Sequence, residues 1–276
     1  MIALVLSVGC SAKSSSLDGS SLNSNTDKGF PDMENSQTAA IVPSVDERLV
    51  MTVEAVRFPG KEQFLLPENA SRFVSELEAV LASDTEELLI LADKQHHLAA
   101  SYAPEDLVSL DSGGASYLTN KSGMFLRRPA ELALERLASA SRAEGITQVA
   151  SSAYRSYEYQ VGLYERNVRQ MGKEAADRES AAPGTSQHQL GTVVDFGSIT
   201  DEFAETKAGR WLAENAWKYG FSLSFPQGYE EITGYRWECW HFRYVGEKAV
   251  LFQRKWFGDI QQYMIEFIDA WRRNEK

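Results

Sequence analysis

Cysteine is nearly absent. Cys10 and Cys239 are the only two in 276 residues, and they lie far apart in unlike contexts. That pattern excludes a disulfide framework. Positive charge is also short, with 28 Lys and Arg against 39 Asp and Glu, a net charge of −11. No basic stripe is available to neutralise phosphates, so a nucleic-acid role is excluded. The apolar run at the N-terminus, from Met1 to Cys10, is too short to span a bilayer. Neither an internal repeat nor a mid-chain linker interrupts the chain. What remains is 43% hydrophobic and 24% charged, the make-up of a globular protein. Its length suits one sizeable domain with extensions.

The N-terminal run looks like the end of a secretory apolar segment. Small residues directly before Cys10 resemble a bacterial lipoprotein cleavage site, which would make Cys10 the lipidated residue. Two features depart from that pattern: no Lys or Arg precedes the run, and Ser7 stands where Leu is usual. Residues 1–9 are therefore expected to be a truncated or short lipoprotein signal segment. Residues 10–45 are rich in Ser, Asn, Asp and Gly, and are expected to form a disordered tether, because such a segment buries too little surface to fold. A tether of about 35 residues spans roughly 30 Å as a flexible coil. Residues 46–276 remain as a single folded domain.

Within that domain, Leu49 to Val56 reads as a strand. Pro67-Glu68 opens a helix with Phe73, Leu77, Val80 and Leu81 on one face. Glu87 to Leu91 reads as a buried strand, and Gly113-Gly114 as a loop. Pro129 starts a helix whose inward residues are Leu132, Leu137 and Ala140, ended by Gly145. Ile146 to Ser152 alternates as a strand. Ser156 then caps a helix facing inward through Gln160, Val161, Tyr164 and Val168. A further helix near Lys207 to Tyr219 stops at Gly220, and Phe221 to Phe225 alternates as a strand. Two amphipathic helices between Glu247 and Arg272 part near Gly258. Helices and short strands mixed without regular crossovers predict an α+β domain, a small antiparallel sheet flanked by helices.

Two stretches carry ionisable groups inside apolar runs. In the first, Ser186 to Asp195, Asp195 sits between Val194 and Phe196, and His188 lies seven residues earlier. In the second, Trp237 to Arg243, Glu238 and His241 sit among Trp237, Trp240 and Phe242. A lone buried charge is very costly. One divalent cation held by His188, Asp195 and His241 would compensate three of these groups at once. It would leave an open position for water with Glu238 beside it, the usual plan of a catalytic zinc. A core histidine and a separately paired carboxylate fit the spacing equally well. On a regular strand an offset of seven puts His188 and Asp195 on opposite faces, but Gly191 can bend the backbone between them. Glu238 should lie just before the strand that bears His241. Arg155, at a strand-to-helix junction, could grip a carboxylate or a developing oxyanion, or be a surface arginine. Arg243 shares His241's face and could support the site or form a structural ion pair. His96 and His97 point apart on an extended chain and read as a loop feature. Cys239 should face away from Glu238 and pack.

Together these residues resemble the VanY-type D-alanyl-D-alanine carboxypeptidases of the peptidase M15 family. The likeness rests on Ser186, His188, Gly191, Val193 and Asp195, on Glu238, Trp240 and His241, and on Tyr154, Arg155, Ser156 and Gln160 upstream. It extends to Leu89–His96, to Trp211–Phe221 and to Trp240–Gly246, and so covers about residues 86–250. Cys239 stands where Pro is common, and Asp93 and His97 where Asn and Pro are common. The resemblance implies a zinc site at the sheet, with His188, Asp195 and His241 as ligands and Glu238 as general base and acid. It also implies that Arg155 and Ser186 contact the substrate's carbonyl or terminal carboxylate, and that Gln160 lines the pocket. The implied substrate is the peptidoglycan stem peptide ending in D-Ala-D-Ala. The implied location is the cell envelope, with the membrane reached only through a lipid on Cys10. An L,D-carboxypeptidase or stem endopeptidase on the same fold, or a non-catalytic wall-binding lipoprotein, are the alternatives. Oligomeric state is not readable from this pattern.

Overall fold

Ser44 begins the folded chain with a reciprocal cap. Its hydroxyl accepts the Glu47 N–H at 3.3 Å, and the Glu47 carboxylate accepts the Ser44 N–H at 2.8 Å. The computed structural model describes residues 44–111 and 115–275. The signal and tether expected over 1–45 lie almost wholly outside that range, as does the Gly113-Gly114 loop. The cap opens α1, Val45–Ala55, where a strand was expected. Leu49, Thr52, Val53 and Val56 are the buried positions, and that is helical spacing. The β-branched residues between them raise strand propensity, but the cap and the buried stripe outweigh it.

The elements follow as α2 (Pro67–Ser83), β1 (Leu107–Ser109), β2 (Leu118–Thr119), β3 (Phe125–Arg127), α3 (Arg128–Ala143), β4 (Val149–Ser152), α4 (Tyr157–Met171) and α5 (Lys173–Glu179). The second half holds β5 (Val193–Phe196), α6 (Lys207–Asn215), β6 (Phe221–Leu223), α7 (Glu230–Thr233), β7 (His241–Tyr244), α8 (Glu247–Trp256) and α9 (Gln261–Arg273). A sheet in the order β2-β4-β5-β7-β6 forms the centre, antiparallel except where β2 runs parallel to β4. A separate β1–β3 pair lies outside it. This is the expected α+β arrangement. Among the described residues no helix is long and apolar enough to cross a membrane.

Two cores hold these layers. One is helical, from α1, α2, α8 and α9, and centres on Phe64 and Phe73, stacked with centroids 4.2 Å apart. The other lies under the sheet, where Val194, Phe196, Phe242 and Phe221 meet α3 and α6. On α3 the inward stripe is Ala130, Ala133, Leu134, Leu137 and Ala138. Leu132, expected inward, falls off that stripe and is 48% exposed. On α4 only Gln160 is fully buried, so this helix lies across the surface.

The segment expected as a buried strand at Glu87–Leu91 joins no ladder. Its leucines 88 and 89 are buried, but arginines take the place of a partner strand. Arg243 Nη2 donates to the Leu88 and Ile90 carbonyls at 2.7 and 2.8 Å, and Arg272 Nη1 donates to the Leu89 carbonyl at 2.7 Å. Arg243 therefore makes neither an ion pair among the described residues nor a contact with the ionisable cluster. Burial lowers its pKa from the usual 12.5 to about 10. Arg243→Leu removes a buried charge but leaves the buried Leu88 carbonyl and the half-buried Ile90 carbonyl unpaired. It is expected to cost about 2–4 kcal/mol of stability, read from urea unfolding curves; an unchanged midpoint would contradict the carbonyl-bridging role.

Candidate active site

Strand register brings the distant stretches together. On β5, Val194 and Phe196 face the core, so Asp195 faces the other way. On β7, Phe242 faces the core, and His241 lies directly opposite Asp195 across the ladder. His188 comes from a 3-10 turn, Gln187–Leu190, capped by the Ser186 hydroxyl, which accepts the His188 N–H at 3.3 Å. The turn ends at Gly191 in the left-handed region, φ 70°. A Cβ there would lie 2.9 Å from Arg127 Cγ and 3.0 Å from Leu107 Cδ2. Gly191 thus permits both the reversal and the packing, and it resolves the unfavourable offset between His188 and Asp195.

The three donor side chains are buried, and their ligand atoms lie within 4.8 Å of one another. His188 Nε2 is 3.1 Å from Asp195 Oδ2, and His241 Nδ1 is 3.2 Å from Asp195 Oδ1. Glu238 Oε2 is 3.4 Å from His241 Nδ1. Glu238 precedes β7, as the odd spacing required.

Protonation explains why these groups need a cation. His188 Nδ1 is 2.7 Å from the Ala153 carbonyl oxygen, so it carries the ring proton and donates it. Its Nε2 lone pair then faces a carboxylate. A proton on Nε2 is disfavoured: burial, then the Arg155 charge, hold the His188 pKa down to about 4. His241 differs. Burial lowers its pKa, but Asp195 and Glu238 outweigh burial and raise it overall. Burial raises the Asp195 pKa too, yet the two imidazoles hold it well below the usual carboxylate range. Asp195 Oδ1 is buried with no hydrogen-bond partner. An orphaned oxygen on Asp195 and a His188 lone pair facing the other oxygen of the same carboxylate are surroundings a divalent cation satisfies. Two imidazoles and one carboxylate suit zinc.

These groups form the floor of a cavity of about 270 Å³. Arg155, Ser186, Gln187, Tyr235, Arg236 and Glu238 are in its wall. Arg155 donates through Nη2 to Asp195 Oδ2 at 2.9 Å and to the Ser152 hydroxyl at 2.8 Å. Gln160 does not line the cavity. Its Nε2 donates to the carbonyl of Ala181, a wall residue, at 2.7 Å, so it supports the wall from behind. Cys239 faces away, with Sγ 3.6 Å from the Thr200 carbonyl oxygen, and burial raises its thiol pKa. His96 pairs with Asp93 at 2.9 Å and His97 sits on the Lys94 carbonyl, both apart from the cluster. Three wall residues had no signal of their own in the sequence. Gln187 lies inside the first stretch and Tyr235 and Arg236 just before the second, and only the fold turns them inward.

Buried donors lining a pocket, with a further carboxylate in its wall, are the arrangement of the metal-dependent hydrolases. Residues 123–247 match the family model described as VanY, D-alanyl-D-alanine carboxypeptidase. The chain is 35% identical over 189 residues to the putative carboxypeptidase YodJ of Bacillus subtilis strain 168, a match covering 65% of this chain and 69% of that relative. Among solved structures it is similar to the L,D-carboxypeptidase LdcB, at 32% identity and a TM-score of 0.56, over 63% of this chain and 83% of that one. It is also similar to a mutant D,D-pentapeptidase VanY from a VanB-type vancomycin resistance cassette, solved in complex with Zn(II). That likeness has 32% identity and a TM-score of 0.52, over 63% of this chain and 95% of the other. The chain belongs to the VanY-type carboxypeptidases of the M15 zinc peptidase family.

Proposed function

We propose that this protein is a zinc-dependent D,D-carboxypeptidase that removes the C-terminal D-Ala from peptidoglycan stem peptides ending in D-Ala-D-Ala. The observation that carries this reading is the convergence of His188, Asp195 and His241 donor atoms within 4.8 Å on the floor of one cavity. When bound, zinc supplies a Lewis acid that polarises the scissile carbonyl and makes a water easier to deprotonate. Glu238 takes the proton of the attacking water and delivers it to the departing amine. Its place before β7 leaves its carboxylate free of the ladder and in the cavity wall. Arg155 and Ser186 bind the substrate's carbonyl or terminal carboxylate from the same wall. A guanidinium there stabilises negative charge more as it develops than before, which lowers the barrier. Arg155 also holds Asp195 in place.

Stem peptides lie outside the inner membrane. We therefore propose a cell-envelope location, with Cys10, outside the described residues, as a lipid anchor. Likeness to LdcB supports a second reading, release of a single D-Ala by L,D cleavage. Product analysis on muropeptides ending in D-Ala-D-Ala and in one D-Ala, with and without a chelator, separates them. The D,D reading expects chelator-sensitive loss of one D-Ala from the pentapeptide and an untouched tetrapeptide. Cleavage of the tetrapeptide alone moves the assignment to L,D. Metal-free protein with no hydrolysis of either leaves a wall-binding module.

A further inference from the structure

Gln187 is a buried cavity residue that neither the donor set nor the acid–base step uses. It is 6% exposed, and its Oε1 lies 3.3 Å from His241 Nε2. The other ring nitrogen, Nδ1, is the one near Asp195 and Glu238, at 3.2 and 3.4 Å. His188 uses the opposite nitrogen, because its Nδ1 is committed to the Ala153 carbonyl. The two imidazoles therefore face the shared position with unlike atoms, and each needs its proton on the far nitrogen. His188 gets this from a backbone carbonyl. For His241, Gln187 is the hydrogen-bond partner of Nε2 among the described residues. Neighbours confine the ring: Phe225 packs at 4.6 Å, and His188 meets it edge-on at 4.9 Å.

We propose that Gln187 is a positioning residue whose amide oxygen keeps the proton of His241 on Nε2 and so commits Nδ1 to the metal. This rests on the zinc reading above. The amide serves in one orientation only. Turned over, its NH2 donates to Nε2 and favours a proton on Nδ1, which then cannot ligate. A buried N–H without an acceptor is costly, so an apolar side chain at 187 removes the bias. The same 3-10 turn thus carries one ligand, His188, and the partner that orients a second, His241, from a different strand.

The test compares wild type with Q187L, Q187N and Q187E. Zinc affinity is read by competition with a chromophoric chelator, and ligand geometry by the visible spectrum of the Co(II)-loaded protein. Q187L is expected to bind zinc about 10–100-fold more weakly, the range for losing such an orienting contact. Q187N, whose shorter side chain falls short of the ring, should weaken binding too. It keeps a polar side chain and so carries the test if Q187L does not fold. Q187E, an obligate acceptor, should bind at about the wild-type level with a wild-type Co(II) spectrum. Wild-type affinity in both Q187L and Q187N overturns the proposal, as does a Q187E protein as weak as Q187L. Wild-type protein that takes up no zinc overturns the zinc reading itself, and this inference with it. Zinc-binding wild type with unaffected variants overturns this inference alone.

Discussion

Glu238→Gln lowers kcat by about 10²–10⁴-fold, the contribution of a positioned general acid–base, while the protein still takes up zinc. Glutamine keeps the size of the side chain and can still hydrogen-bond, but it cannot accept the proton of a water or return one to an amine. The structure separates this role from ligation. Asp195 lies opposite His241 in the ladder, while Glu238 precedes the strand and lines the cavity from its wall. Its Oε2, 3.4 Å from His241 Nδ1, borders the donor set without belonging to the tight three-residue cluster. Metal content by atomic absorption and turnover of a D-Ala-D-Ala peptide are measured on the same preparation. Near-normal turnover would remove Glu238 from the mechanism. Loss of the metal along with the rate would make it a ligand instead.

His188→Ala abolishes tight zinc binding, and activity goes with it. The expected loss in affinity exceeds about 100-fold, the upper end for contacts that only orient a ligand, because a donor itself is gone. His188 is primed for that work. Its Nδ1 is fixed on a backbone carbonyl, and burial beside Arg155 keeps its Nε2 lone pair free. A ligand that binds only the folded state stabilises it by RT ln(1 + [L]/Kd), about 4 kcal/mol at a thousandfold excess over Kd. Zinc should therefore raise the melting temperature of the chelator-treated wild type and leave that of His188→Ala unmoved. Equal shifts in the two proteins would take His188 out of the ligand set.

Failures of the sequence reading share one cause. The strand expected at 49–56 is a helix because its buried stripe is set by packing against α9, where Arg48 stacks over Trp271 at 4.1 Å. The segment 87–91 has strand-like residues but no strand beside it, and side chains more than 150 positions away satisfy its carbonyls. Gln160 was expected in the pocket from the family resemblance alone. The helix instead turns it toward Ala181. In each case the local pattern was compatible with more than one partner, and the partner was remote.

Alone, the sequence determined the chemistry available. One imidazole and two carboxylates stood in apolar runs where uncompensated charge is not tolerated, a second imidazole lay seven residues before one of them, and a glycine stood where the chain had to reverse. Helix caps and breakers, at Ser156, Gly145 and Gly220, were also readable, since those signals act within a few residues. Tertiary structure decided which nitrogen of each histidine faces the metal position, that Asp195 meets His241 in register, and that Gln187 rather than Gln160 turns toward the donors. Those choices depend on ladder pairing and close packing between segments some fifty residues apart, and no local propensity encodes them.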